Sequence, residues 1–160
     1  MDKLDALFPP FAAKVRSVLA GQSTSGLPPY DIFMGLRTWE EQNRLYALGR
    51  TVRNPDGYPT LSMGRIVTKA KGGDSFHNYG LAADIVFRPH GNWSWDDSLP
   101  WEKLGKLGEG LGLEWGGRWK FQDLPHFQML GRLASGTLPA LAFAKRLYAD
   151  GGLSAVWDAV

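Results

Sequence analysis

A mixed α+β fold, with a small and mainly antiparallel sheet flanked by helices, is what this chain of 160 residues predicts. Three observations lead there. Segments with helical spacing stand near both ends and in the middle of the chain. Short apolar runs of strand length lie between them. Irregular loops separate these elements with no regular βαβ alternation, which disfavours a parallel sheet.

The first helix is read over 10 to 20, "PFAAKVRSVLA": proline opens it, Phe11, Val15, Val18 and Leu19 keep helical spacing, and Gly21 stops it. "QSTSGLPPY" follows as a connector and "DIFMGL" as a short strand. In "RTWEEQNRLYALG", Thr38 and Glu41 have the spacing of a capping box and Gly49 ends the helix. Residues 51 to 74 are rich in Gly, Pro, Asn and Lys, a long excursion suited to the border of a cleft. "PWEKLGKLGEGLG" spaces Leu104, Leu107 and Leu111 along one helical face, although Gly105, Gly108 and Gly110 weaken it. "LEWGGRWKFQDLPHFQML" reads as a hairpin or two short strands around Gly116 and Gly117, and 137 to 148 as a last amphipathic helix with a short tail.

Composition narrows the function. The chain suits a single domain over 1–160, large enough to bury a core. Eighteen basic against sixteen acidic residues is too balanced to imply nucleic-acid binding. Without cysteine there is no disulfide, thiolate metal site or cysteine nucleophile, so a zinc site must use His and carboxylate. "MDKLDALFPPFAAKVRSVLAG" is unlike a secretory signal, and no run reaches bilayer-spanning length. The expectation is synthesis in the cytoplasm without membrane insertion.

"SFHNYGLAADIVF", residues 75 to 87, places His77 seven positions before Asp84. A straight strand would set them about 23 Å apart on opposite faces, and a helix about 10 Å apart along its axis. The two meet only if the chain turns through Asn78, Tyr79 and Gly80 and then runs extended, with Asp84 early in the strand. His126, in "DLPHF", is the third candidate. Pro125 makes Leu124 extended, leaving Asp123 in the loop and His126 at the head of a strand. Two imidazoles and one carboxylate leave zinc a fourth position for water, the catalytic arrangement. Asp123, three residues before a ligand and not needed as one, is placed to take that water's proton and pass it to a leaving amine. The competing reading for each histidine is an ordinary structural residue; His90 is read as a surface histidine.

"SFHNYGLAAD" matches S-x-H-x-x-G-x-A-x-D through Ser75, His77, Gly80, Ala82 and Asp84, and "EWGGRWKFQDLPHF" leads from a Trp-Gly-Gly turn to a D-x-x-H-F ending. Both resemble the D-alanyl-D-alanine carboxypeptidase-like zinc peptidases, especially the L-alanyl-D-glutamate endopeptidases used as bacteriophage endolysins. The likeness runs from about Asp31 to Met129. It implies a hedgehog/D,D-peptidase-like fold and one Zn²⁺ per chain on His77, Asp84 and His126. It further implies Asp123 as catalytic acid/base and Arg37 as the arginine that holds the substrate or its scissile carbonyl. Just ahead of a helix start, Arg37 faces the positive end of the dipole and so needs an anionic or carbonyl partner; the alternative is a solvated or salt-bridged arginine. Ser75 is expected to orient a ligand rather than act as a nucleophile. Trp115 and Trp119 are candidates to wall the cleft, and Trp93 and Trp95 to stack on sugar or peptide, with core packing the competing reading.

The function so implied is hydrolysis of the L-Ala–D-Glu bond of the peptidoglycan stem peptide by a monomer. It would be held in the host cytoplasm until a separate pore releases it to the periplasm and cell wall. The rivals are a D,D- or L,D-carboxypeptidase and a non-catalytic wall-binding module. Lys145 and Arg146 on the closing helix are candidates to touch anionic envelope components.

Overall fold

The computed structural model describes residues 2–55, 63–129 and 141–160. Helix α1, Pro9–Ala20, has proline at its first positions, where the fixed φ suits a helix and the missing N–H costs nothing. Its Phe11, Ala12, Val15 and Val18 are buried. The connector expected after Gly21 contains a short helix, α2, Gln22–Ser25, because Gly26 can take the left-handed conformation that ends it.

Strand β1, Tyr30–Met34, leads to helix α3, Trp39–Ala47. The capping box is present: Thr38 Oγ1 accepts from Glu41 N at 3.1 Å, and Glu41 Oε2 accepts from Thr38 N at 2.7 Å. After a single 3₁₀ turn, Phe76–Tyr79, strand β2 runs Ala82–Phe87. Helix α4, Trp101–Gly110, strand β3, Leu113–Trp115, strand β4, His126–Met129, and helix α5, Leu141–Asp158, complete the order.

The four strands lie in the order β1-β2-β4-β3, every neighbouring pair antiparallel. Asp84 stands opposite His126, and Ala82 opposite Gln128. Because side chains alternate across a sheet, that register puts Asp84, His126 and Gln128 on one face and Ala83, Ile85 and Phe127 on the other. The second face joins Phe11, Leu104 and Trp115 in the larger core cluster.

Two expectations need correction. The glycines of α4, expected only to weaken it, also serve its packing: Gly105 and Gly108 are buried, and a methyl on either would collide with the rings of Trp115 and Phe127. They let the helix lie close on the sheet. The C-terminal segment is no short tail either. α5 continues to Asp158 with a break at Gly151 and Gly152, the latter at φ +66°. Residues 137–140 of the expected helix lie outside the described residues. Beyond the break, Trp157 Nε1 donates to Tyr79 O at 2.7 Å, and Val156 is buried with Tyr79, Leu81 and Ala144 in a second cluster. That cluster braces the 3₁₀ turn carrying His77. Among the described residues, no helix is long and apolar enough to cross a membrane.

Candidate metal centre and catalytic cleft

The bend that His77 and Asp84 require is made by the 3₁₀ turn and Gly80 at φ +68°, after which β2 places Asp84 third in the strand. Ser75 Oγ accepts from His77 N at 3.4 Å, so it holds the backbone of the turn rather than the imidazole. The ring is fixed instead by Nδ1, 2.8 Å from Gly35 O. A carbonyl only accepts, so Nδ1 carries the hydrogen and Nε2 keeps its lone pair. His126 is the mirror case: Nε2 stands 3.1 Å from Gln128 Oε1, which leaves Nδ1 with the lone pair.

These two bare nitrogens lie 3.2 Å apart. Asp84 Oδ1 is 3.2 Å from His77 Nε2 and 3.4 Å from His126 Nδ1. Three acceptors thus face one another, an arrangement that could hold a metal ion among them. For bonds of roughly 2.0 to 2.1 Å, two ligands of a tetrahedral zinc stand about 3.3 Å apart. The observed spacings fit that ion, and the fourth tetrahedral direction is free for water or substrate among the described His, Asp and Glu side chains, since only these three converge. Burial works against ionising Asp84, but the neighbouring His77 and His126 rings, which donate to it only when protonated, outweigh that effect in the absence of an ion. The carboxyl is held well below the usual range. His126 is raised: burial disfavours its protonated form, but the adjacent Asp84 carboxylate favours that form more strongly.

Arg37 is buried, and the partners its position demanded are present: Nη1 donates to Gln42 Oε1 at 2.7 Å, and Nη2 lies 3.5 Å from Asp84 Oδ2. Asn78 Nδ2 donates to Arg37 O at 2.9 Å. The Nε atom of Arg37 is buried without a hydrogen-bond partner among the described residues.

His77, Asp84, His126, Arg37 and Asp123 line one cleft of about 770 Å³, with Ser75 and Trp119 also on its wall. The 51–74 excursion borders it through Arg65, Thr68 and Lys69; 56–62 lie outside the described residues. Asp123 opens to solvent within the cleft, yet enough protein surrounds its carboxyl that burial raises its proton affinity, partly offset by His126. Its loop is closed by Asp123 N donating to Gly116 O at 3.0 Å, and a methyl on Gly116 would come within 2.5 Å of Asp123 O.

Trp115 does not wall the cleft. It is 3% exposed, packs in the core and donates through Nε1 to Leu124 O at 2.8 Å. It ends β3 opposite Phe127, on the core face. Trp119 lies past the 3₁₀ turn Gly116–Arg118; its ring centroid is 5.0 Å from that of His126, and Glu114 Oε1 accepts from Nε1. Trp95 lines the cleft, whereas Trp93 is half-buried against Phe33. His90 is exposed, and Lys145 is tied to Asp74 at 3.0 Å.

Sequence reasoning missed Gln128, Gln42 and the Gly35 carbonyl, which position His126, Arg37 and His77. Strand alternation from His126 puts Gln128 on the same face and would have found it. Nothing in the spacing of Gln42 or Gly35 announces their roles.

Comparison with known proteins bears on the same residues. Residues 68–129 match the family described as D-alanyl-D-alanine carboxypeptidase. The chain is 39% identical over 106 residues to the peptidoglycan L-alanyl-D-glutamate endopeptidase CwlK of Bacillus subtilis, an alignment covering 60% of this chain and 58% of that relative's length. Among solved structures, the Serratia marcescens L-Ala D-Glu endopeptidase ChiX aligns with TM-score 0.55 and 25% identity over 80% of this chain and 84% of its own. The LD-carboxypeptidase LdcB aligns with TM-score 0.53 and 21% identity over 77% and 65%. A mutant of the vancomycin-resistance D,D-pentapeptidase VanY in complex with Zn(II) aligns with TM-score 0.52 and 16% identity over 76% and 71%. By motif, by sequence and by fold, this chain resembles the D-alanyl-D-alanine carboxypeptidase-like peptidases, and the family match spans His77, Asp84, Asp123 and His126.

Proposed function

We propose that this chain is a zinc peptidase of peptidoglycan that hydrolyses the L-Ala–D-Glu bond of the stem peptide. The observation that carries the reading is the convergence of His77 Nε2, Asp84 Oδ1 and His126 Nδ1 in the cleft that also holds Asp123 and Arg37. Those three side chains would hold the ion, and zinc bound there supplies a Lewis acid that acidifies water and polarises a carbonyl.

The remaining tasks fall to the protein. Asp123, with its raised proton affinity, takes a proton from the attacking water and returns it to the leaving amine as the C–N bond breaks. Arg37 is held in place by Gln42 and Asp84 before any substrate arrives, so its cation is oriented toward a scissile carbonyl or a substrate carboxylate at little reorganisation cost. Gln128 and the Gly35 carbonyl keep each imidazole in the tautomer that presents a lone pair.

The bond assigned follows the two relatives of higher identity, both L-alanyl-D-glutamate endopeptidases by name. The family description and the LdcB likeness favour a second reading, a D,D- or L,D-carboxypeptidase that trims the free end of the stem. Purified peptidoglycan digested with the zinc-loaded protein and weighed by mass spectrometry separates them. Loss of the stem beyond L-Ala is expected; release of terminal D-Ala alone would give the carboxypeptidase reading. No new product at all would leave a wall-binding module, a role for which Asp123 has no use. The same proposal includes deployment as a lytic enzyme that reaches the wall through a separate pore. Lysis on co-expression with a pore-forming protein, and none without it, is the expected outcome.

A further inference from the structure

We propose that the end of the cleft formed by Phe33 and Trp95 is a subsite for the N-acetylhexosamine ring attached to the acyl half of the substrate, a proposal that rests on the endopeptidase reading above. Trp95 is 49% exposed and lines the cleft that contains His77, Asp84 and His126. It is nevertheless held firmly: its ring meets Phe33 edge-on, with centroids 5.0 Å apart and planes at 89°, and Phe33 is braced by Trp93 at 5.2 Å. Phe33 stands where the pairing of β1 with β2 slips between Ile32 and Met34, next to the pair Met34 and Asp84. A bulge there re-aims a side chain beside the metal ligand. A rigid, half-exposed indole on a cleft wall is a platform for the apolar C–H face of a sugar ring. Asp97, also on the cleft wall, offers an acceptor for a hydroxyl or acetamido N–H.

The direction of the substrate follows from Asp123. The group that protonates the leaving amine must stand on the leaving-group side. Its loop joins β3 to β4, at one edge of the sheet, whereas Phe33, which the Trp95 ring meets, belongs to β1 at the opposite edge. The acyl half therefore extends toward Trp95. In peptidoglycan that half is L-Ala joined through its amine to the lactyl group of a muramic acid, so one residue separates the reacting carbonyl from a sugar. The leaving half carries the carboxylates of the stem. Lys69 lines the cleft, and its Nζ lies 3.9 Å from the ring centre of Phe121, in the Asp123 loop. A cation at one end and an aromatic platform at the other match the two ends of such a substrate.

The test compares two substrates: a disaccharide-linked stem peptide, and the same peptide acetylated at L-Ala with no sugar. The wild-type protein is expected to show kcat/KM about tenfold higher on the sugar-bearing substrate. In Trp95→Ala that ratio should fall to about one through a rise in KM for the sugar-bearing substrate, and Trp95→Tyr should recover most of it. A wild-type ratio near one, or equal losses on both substrates in Trp95→Ala, would overturn the sugar subsite while leaving the endopeptidase reading intact. Failure of the wild-type protein to cut either substrate would overturn both.

Discussion

On β2 and β4, neighbours in sequence face opposite sides of the sheet and meet opposite fates. Ala83, Ile85 and Phe127 are fully buried against α1 and α4, where Gly105 and Gly108 permit close approach. One step away, Asp84, His126 and Gln128 face the cleft and pair with polar groups. The shared register teaches that stability and chemistry are set by the same hydrogen-bond ladder. A slip of one residue would bury the ligands and expose the core together. Each face can therefore be perturbed alone, and the two should fail differently.

The largest effect belongs to the cleft face. Stripping the metal with a chelator should abolish hydrolysis of peptidoglycan, and added zinc should restore it, followed by release of soluble fragments; full turnover in chelator would remove the metal from the account. Asp123→Asn comes next, with turnover reduced by about 10²- to 10⁴-fold. Its metal content and thermal midpoint should match the wild type, so loss of metal in this variant would make Asp123 a ligand instead.

On the core face, Phe127→Ala should cost about 3 to 5 kcal/mol of folding stability, read from denaturant unfolding. A cost below about 1 kcal/mol would show that the face is not packed as described. The smallest change expected is at Gln128→Ala. There, zinc affinity should weaken by about 10- to 100-fold as the His126 tautomer loses its anchor, with folding nearly unaffected. Competition with a chromophoric chelator measures it, and unaltered affinity would reduce Gln128 to a bystander.

Much of this arrangement was legible in sequence because it depends on short-range chemistry. Thr38 and Glu41 announce the start of α3, and Gly80 announces the bend that returns the chain past His77. What was illegible depends on contacts between distant segments. Trp115 and Trp119 are four residues apart and look equivalent; only the pairing of Trp115 with Phe127 sends one into the core, while a 3₁₀ turn sends the other to the cleft. Gly105 and Gly108 read as helix-weakening until the rings above them are known. Arg37 and Gln42 straddle a helix cap, and their hydrogen bond belongs to no local pattern. The break at Gly151 and Gly152 hid the second half of α5, whose Trp157 closes on the turn that carries His77.

The proposed chemistry depends on three side chains holding one ion. Elemental analysis of zinc per chain, after loading and exhaustive dialysis, should give one in the wild-type protein and in Asp123→Asn, and essentially none in folded His77→Ala, Asp84→Ala or His126→Ala. One zinc per chain retained in those last three variants, or none bound by the wild-type protein, would end it.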